Sequence, residues 1–121
     1  MEIKTEDYRV WIDCNTSTVY VQGFLRLSGI QEYQPIMDLL LQAAEALSDL
    51  TVNLQKLEFL NSSGISMLSM FVVKVRQEGT IRLTLQGSDK VLWQTKSLKN
   101  LQRLMPTLTL TFTSADSAKT V

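Results

Sequence analysis

The chain has 121 residues, 45% of them apolar, enough to bury roughly two thirds of the unfolded surface in one core, so a single domain over 1-121 is expected. Twelve basic and twelve acidic residues cancel, which removes the excess positive field that would draw in nucleic acid or an anionic membrane. One cysteine, Cys14, and no histidine exclude an internal disulfide, a structural zinc site and any Ser-His-Asp or Cys-His catalytic arrangement.

The segment Met1-Glu2-Ile3-Lys4-Thr5-Glu6-Asp7 is charged and lacks a signal-peptide core, and no apolar run approaches the ~20 residues of a membrane span. A cytoplasmic protein is expected. Tyr8, Val10 and Ile12 then alternate with Arg9, Trp11 and Asp13, and after Cys14-Asn15-Thr16-Ser17 the run Thr18 to Leu25 is again β-like, which predicts a hairpin. Ser28 and Gln31 have capping-box spacing, and Ile30, Tyr33, Met37, Leu40, Leu41, Ala44 and Leu47 recur at helical spacing. Because an interior proline kinks a helix, Pro35 places the regular start nearer Gln34 than Ser28.

Thr51 to Leu60 reads as one β segment, central in the sheet because its apolar residues alternate imperfectly. Ser63 to Gln77 follows as a helix, apolar nearly all round, with Ser62-Ser63-Gly64 as its start and Glu78-Gly79 as its stop. Either a neighbouring helix or a partner protein is expected to cover its second face, and cover within the chain is preferred because core packing is the commoner fate of such stripes. Ile81, Leu83 and Leu85 alternate as a further strand, ended by Gly87-Ser88-Asp89, which is also expected to cap the next helix. From Lys90 to Met105 the apolar positions Val91, Leu92, Leu98, Leu101 and Met105, with Thr95, mark one helical face, and Pro106 closes it. Leu108, Leu110 and Phe112 alternate with threonines in a last strand, before a polar tail, 114-121, expected to be flexible. The core is thus 8-113. The order β-β-α-β-α-β-α-β predicts an α/β (α+β) fold, a mixed four- to five-stranded sheet with helices packed on it.

The junction Leu57-Glu58-Phe59-Leu60-Asn61-Ser62-Ser63-Gly64 carries the functional signal. An apolar strand there runs into hydroxyls at a helix start, where unpaired N–H groups and the positive end of the dipole favour a phosphate. The same residues also read as an ordinary N-cap. Trp11, Trp93, Tyr20 and Tyr33 read as core or rim residues, and Cys14 as an inert thiol in a turn. Among the side chains near the serines no base, nucleophile and oxyanion donor come together, so no enzyme is expected, nor any cofactor or metal.

Together with Val52-Asn53-Leu54 and the apolar helix that follows, this motif and the element order resemble the STAS domain of bacterial anti-sigma-factor antagonists over about Tyr8 to Phe112. The resemblance implies a phosphoacceptor at Ser63, with Ser62 as the alternative and Ser66 a further hydroxyl in the first turn. It implies a partner-switching cycle in which the unphosphorylated protein binds an anti-sigma factor that is also a serine kinase of the histidine-kinase-like ATPase fold. Phosphorylation releases that partner and a serine phosphatase restores binding. Asn61, Ser62, Gly64, Met67 and Met70 are the expected contacts, with Phe71 on the same helix face, and Gly64 would admit a kinase close to Ser63. A homodimer is left open. Asn61 and Asn53 stand where the family usually has acidic residues, which removes two negative charges. Two other readings share the fold: a protein-interaction module insensitive to Ser63, and a small-ligand sensor, for which the chain lacks a Gly-rich phosphate loop.

Overall fold

The computed structural model describes residues 2–113; the 114-121 tail lies outside them. The elements in chain order are β1 (Glu2–Lys4), β2 (Tyr8–Asp13), β3 (Thr18–Leu25), α1 (Gly29–Ala46), β4 (Asp49–Asn53), β5 (Leu57–Leu60), α2 (Ser62–Glu78), β6 (Arg82–Ser88), α3 (Leu92–Leu104) and β7 (Thr109–Thr113). The fold is α/β, with a 7-stranded mixed sheet in the order β1-β2-β3-β4-β6-β7 and β5 paired to β3 beyond the end of β4. The strands β1, β2 and β3 are antiparallel, and β3, β4, β5, β6 and β7 pair in parallel.

Period-2 alternation sends one set of side chains to the helices. Val10, Val19, Val21, Leu50, Val52, Leu83 and Leu85 are buried on that face. On the other face the register aligns Trp11, Tyr20, Asn53, Gln86 and Thr111 in one row, polar apart from the stacked Trp11–Tyr20 pair. The helix α2 packs between α1 and α3 and buries Met67, Leu68, Phe71, Val72 and Val75. Most of its apolar surface is therefore covered within the chain, and Met70 stays exposed.

Several expectations are corrected by the structure. The Thr51-to-Leu60 segment is two strands, not one: Asn53 Oδ1 accepts the Gln55 N–H at 3.0 Å, and the Leu57 N–H donates to the Leu54 carbonyl, so a turn interrupts the strand. The strand β3 pairs with both halves, Thr18, Val19 and Tyr20 with β4 and Gly23, Phe24 and Leu25 with β5, and the β3–β5 register shifts between Gly23 and Phe24. Gly23 takes φ +98, and a Cβ there would lie 2.3 Å from the Asp7 carbonyl oxygen, so only glycine fits the crossing. The strand β1 went unread because three residues with two charges carry no alternation signal. With the split it raises the strand count from the expected four or five to seven.

The helix α1 starts at Gly29, not near Gln34, and runs through Pro35. Tyr33, Ile36, Met37 and Leu40 anchor it in the core on both sides of the proline, which outweighs one missing N–H. The Ser28–Gln31 capping box does not form; instead the Ser28 N–H donates to the Glu32 carboxylate at 3.2 Å. Ser88 belongs to β6, and the N-cap of α3 is Val91, without a side-chain cap. Leu92, read as core, is 91% exposed, and Gln94 takes the buried position.

Candidate functional site

Besides accepting the Ile65 N–H at its carbonyl, the first bond of the helix, Asn61 holds the start of α2 through four hydrogen bonds. Its backbone N–H donates to the Leu25 carbonyl at 3.2 Å, continuing the β3–β5 ladder. Its Oδ1 accepts the Gly64 N–H at 3.0 Å, a side-chain N-cap, and also accepts from the Tyr33 hydroxyl at 2.6 Å. Its Nδ2 donates to the Leu27 carbonyl at 2.7 Å. The residue must both accept and donate, and only an amide does so at neutral pH. A carboxylate would turn an oxygen towards the Leu27 carbonyl. The departure from the acidic residue of the STAS pattern is thus a structural requirement of this chain.

Tyr33 is fully buried and lies 3.1 Å from the Leu25 carbonyl as well as 2.6 Å from Asn61 Oδ1. Burial raises its hydroxyl pKa above the ordinary phenol value; the Leu27 backbone amide opposes the shift and Tyr8 adds to it. Tyr33 therefore stays protonated and remains a donor. Gly64 completes the junction. A Cβ there would lie 2.2 Å from Leu60 Cδ1 and 2.8 Å from the Tyr33 hydroxyl, so the helix start sits against β5 and α1 at a distance only glycine allows. Gly64 is buried and faces inward; it is not an open approach for a kinase.

Ser62 and Ser63 open the first turn of α2, and Ser66 begins the second. Ser62 and Ser66 are exposed and Ser63 is half-buried; among the described residues none of their hydroxyls has a hydrogen-bond partner. With Gly64 capped, the Ser62 and Ser63 N–H groups are the unpaired donors of the helix start, and the first turn holds no acidic residue. The site can therefore receive an anion or a phosphoryl group without repulsion from its own helix.

The expected docking face on α2 is smaller than the sequence suggests. Phe71 is fully buried and Met67 only 2% exposed, because their positions point between α1 and the sheet. Met70 is 44% exposed and overlooks a groove of about 230 Å³ shared with Ile30, Gln34, Met37 and Lys74 of α1 and α2. Met67 forms its floor. Asn61 has one amide hydrogen left to offer a partner. Sequence reasoning missed an exposed aromatic pair one register step away: Phe24 and Phe59 are neighbours on β3 and β5, and the Arg26 guanidinium lies 5.3 Å and 5.9 Å from their ring centres. No group of three acidic or cysteine side chains that could hold a metal ion occurs among the described residues, and no described helix is long and apolar enough to cross a membrane.

Fold and site define a class: a two-layer α/β domain whose serine-bearing helix start, rigidly capped, opens beside the end of a parallel strand. Comparison with protein-family models finds no match, and neither does comparison with curated proteins. Among solved structures the chain is similar to one in the crystal structure of the diguanylate cyclase SiaD in complex with its activator SiaC from Pseudomonas aeruginosa, with TM-score 0.69, 13% identity, and 93% of this chain and 99% of that chain covered. It is also similar to SiaC of Pseudomonas aeruginosa, with TM-score 0.67, 12% identity and coverages of 93% and 94%. The structure of apo-SiaC from the same organism gives TM-score 0.57, 11% identity and coverages of 94% and 98%. At these identities the likeness shows a shared fold.

Proposed function

We propose that this chain is a non-enzymatic, cytoplasmic regulatory protein that works by partner switching. With Ser63 unmodified, the start of α2 binds a protein partner; with phosphate on Ser63, the partner leaves. The observation that carries this reading is the Ser63 hydroxyl, on a half-buried residue, free of intramolecular hydrogen bonds and set on a capped helix start without acidic neighbours in its first turn. A phosphate there adds about −1.5 to −2 charges to a surface the partner must desolvate. A coupling of ~1 to 3 kcal/mol is enough for release, and the rigid junction needs no rearrangement to transmit it.

The STAS-like arrangement supports a partner that is an anti-sigma factor and serine kinase of the histidine-kinase-like ATPase fold, with a serine phosphatase closing the cycle. Ser62 is the alternative acceptor. Ser62, Met70 and the rim of the groove beside it are the contacts. A second reading is favoured by the likeness to SiaC, described as the activator of a diguanylate cyclase: the partner is then a signalling enzyme that this domain activates.

Affinity capture from native cytosol with wild type, Ser63→Ala and Ser63→Asp, read by mass spectrometry, tests the proposal. An ATPase-fold kinase retained by wild type and Ser63→Ala and lost with Ser63→Asp supports the first reading, and a cyclase with the same pattern the second. Equal capture by all three baits overturns switching at Ser63 and leaves an interaction module of the same fold.

A further inference from the structure

The two edges of the sheet are finished differently. At one end β1 spans three residues, two of them charged, and Glu2 pairs with Arg9 of β2. Short length and charge are what protect an edge strand from foreign pairing. At the other end β7 runs Thr109–Thr113, with no charge, proline or register break along it, and among the described residues it pairs with β6 alone. Such an edge presents unpaired N–H and C=O groups.

Beside this edge lies a groove of about 500 Å³ lined by Lys99, Gln102, Arg103, Pro106, Leu110 and Phe112. Leu110 and Phe112 are half-buried and pack on the core, giving an apolar floor, while Lys99 and Arg103 are exposed on the rim. In a chain of zero net charge, α3 carries Lys96, Lys99 and Arg103 and no acidic residue. Among the described residues neither Lys99 nor Arg103 has a carboxylate partner.

We propose that this edge accepts an extended acidic segment of a partner protein, added beside β7 as an eighth strand. Backbone pairing supplies affinity and the groove supplies selection. Residues of one parity turn towards α3, where apolar side chains meet Leu110 and Phe112 and carboxylates meet Lys99 and Arg103. Nucleic acid fits less well, since it has no strand backbone to pair and would meet an apolar floor behind only three cations. The surface uses no residue of the α2 start, so it goes beyond the function proposed above and stands apart from Ser63.

The test is titration of the full chain with the peptide acetyl-Glu-Thr-Val-Thr-Glu-Thr-Val amide, followed by amide chemical shifts and hydrogen exchange. The expected result is shift changes and slowed exchange confined to β7 and the facing side of α3. Lys99→Glu with Arg103→Glu should weaken binding about tenfold or more. The same double variant should gain affinity for the peptide with Lys in place of Glu, an effect that misfolding cannot produce. A fully N-methylated peptide, which keeps the charges and loses the backbone donors, should not bind. The proposal is overturned if β7 amides stay unperturbed up to about 1 mM peptide. It is equally overturned if the N-methylated peptide binds as well as the parent, or if oligothymidylate binds the same surface more tightly than the acidic peptide.

Discussion

The junctions β5–α2 and β6–α3 each take the chain from a parallel strand into a helix, and they are built from opposite materials. At β5–α2 one residue before the helix, Asn61, supplies the cap and ties β5 to the loop after β3, which leaves the hydroxyls of Ser62 and Ser63 unused. At β6–α3 no side chain caps the helix from outside. Gln94, fully buried within the first turn, reaches back instead: its Oε1 accepts the Ser88 N–H at 2.8 Å, and its Nε2 donates to the Leu54 and Leu57 carbonyls at 2.6 and 2.9 Å. Ser88 Oγ is used as well, accepting the Lys90 N–H. One junction spends its polar groups internally and the other turns them outward. The two are complementary, since Gln94 also satisfies the break between β4 and β5 that brings Asn61 into place.

The largest effect therefore belongs to the junction without exposed function. Gln94→Leu removes the side-chain partners of the Ser88 N–H and the Leu57 carbonyl and leaves the Leu54 carbonyl with the Leu57 N–H alone, and a loss of roughly 2 to 4 kcal/mol in urea unfolding is expected. A loss under about 1 kcal/mol would show that water replaces the amide and that this junction is not held by Gln94. Gly64→Ala comes next, because its Cβ meets Leu60 and the Tyr33 hydroxyl; about 1 to 3 kcal/mol of overpacking is expected, with a shifted Tyr33 environment in NMR spectra.

Asn61→Asp sharpens the contrast between cap and clamp. The variant keeps the acceptor for the Gly64 N–H and loses the donor to Leu27, so a cost of about 1 to 2 kcal/mol at neutral pH is expected. The deficit should shrink in acid, where a protonated carboxyl can donate again. A variant as stable as wild type at neutral pH would break the argument that this site selects an amide.

The same network makes the junction sensitive to alkali. The folded-state pKa of Tyr33 is raised, chiefly by burial, so its contribution to stability is fully present below the phenol range near ~10 and is lost as pH climbs above it. Tyr33→Phe removes one donor while Asn61 Oδ1 still accepts from Gly64, at a cost of about 0.5 to 1.5 kcal/mol at neutral pH. Stability measured from pH 7 upward should fall earlier and more steeply in wild type than in the variant. Parallel curves would remove Tyr33 from the titration.

What the sequence disclosed follows from range. Hydrophobic period with start, turn and stop residues placed the β2–β3 hairpin, the central position of the strand after α1, and α2 to within a residue, because those signals are local. The buried Gln94 depends on the Leu54 and Leu57 carbonyls, 40 and 37 residues away, and periodicity cannot express it, since Gln94 sits where a helical wheel predicts a leucine or valine. The turn at Asn53 is local, but it interrupts a run of strand-like residues without a glycine or proline to mark it. At the site the serines and Asn61 stood out by type. The meaning of Asn61 did not, since a missing charge and a required donor look alike until the Leu27 carbonyl is placed opposite. Tyr33 left a weak trace, a phenol on the apolar stripe of α1, which buried hydroxyls need a partner to occupy.

The smallest expected effect is the most discriminating. Ser63 makes no hydrogen bond through its side chain, is half-buried, and follows a helix cap supplied by another residue, so Ser63→Ala should change stability by less than about 0.5 kcal/mol. Ser62→Ala should behave alike. If either serine were the cap, its removal would instead cost about 1 kcal/mol, the usual loss for such a residue. Thermal unfolding of both variants beside Asn61→Ala, which should show the full loss, separates the roles. A stable Ser63→Ala protein frees the hydroxyl from any structural duty, so a change in partner binding by Ser63→Asp is then attributable to charge at the helix start rather than to a damaged junction.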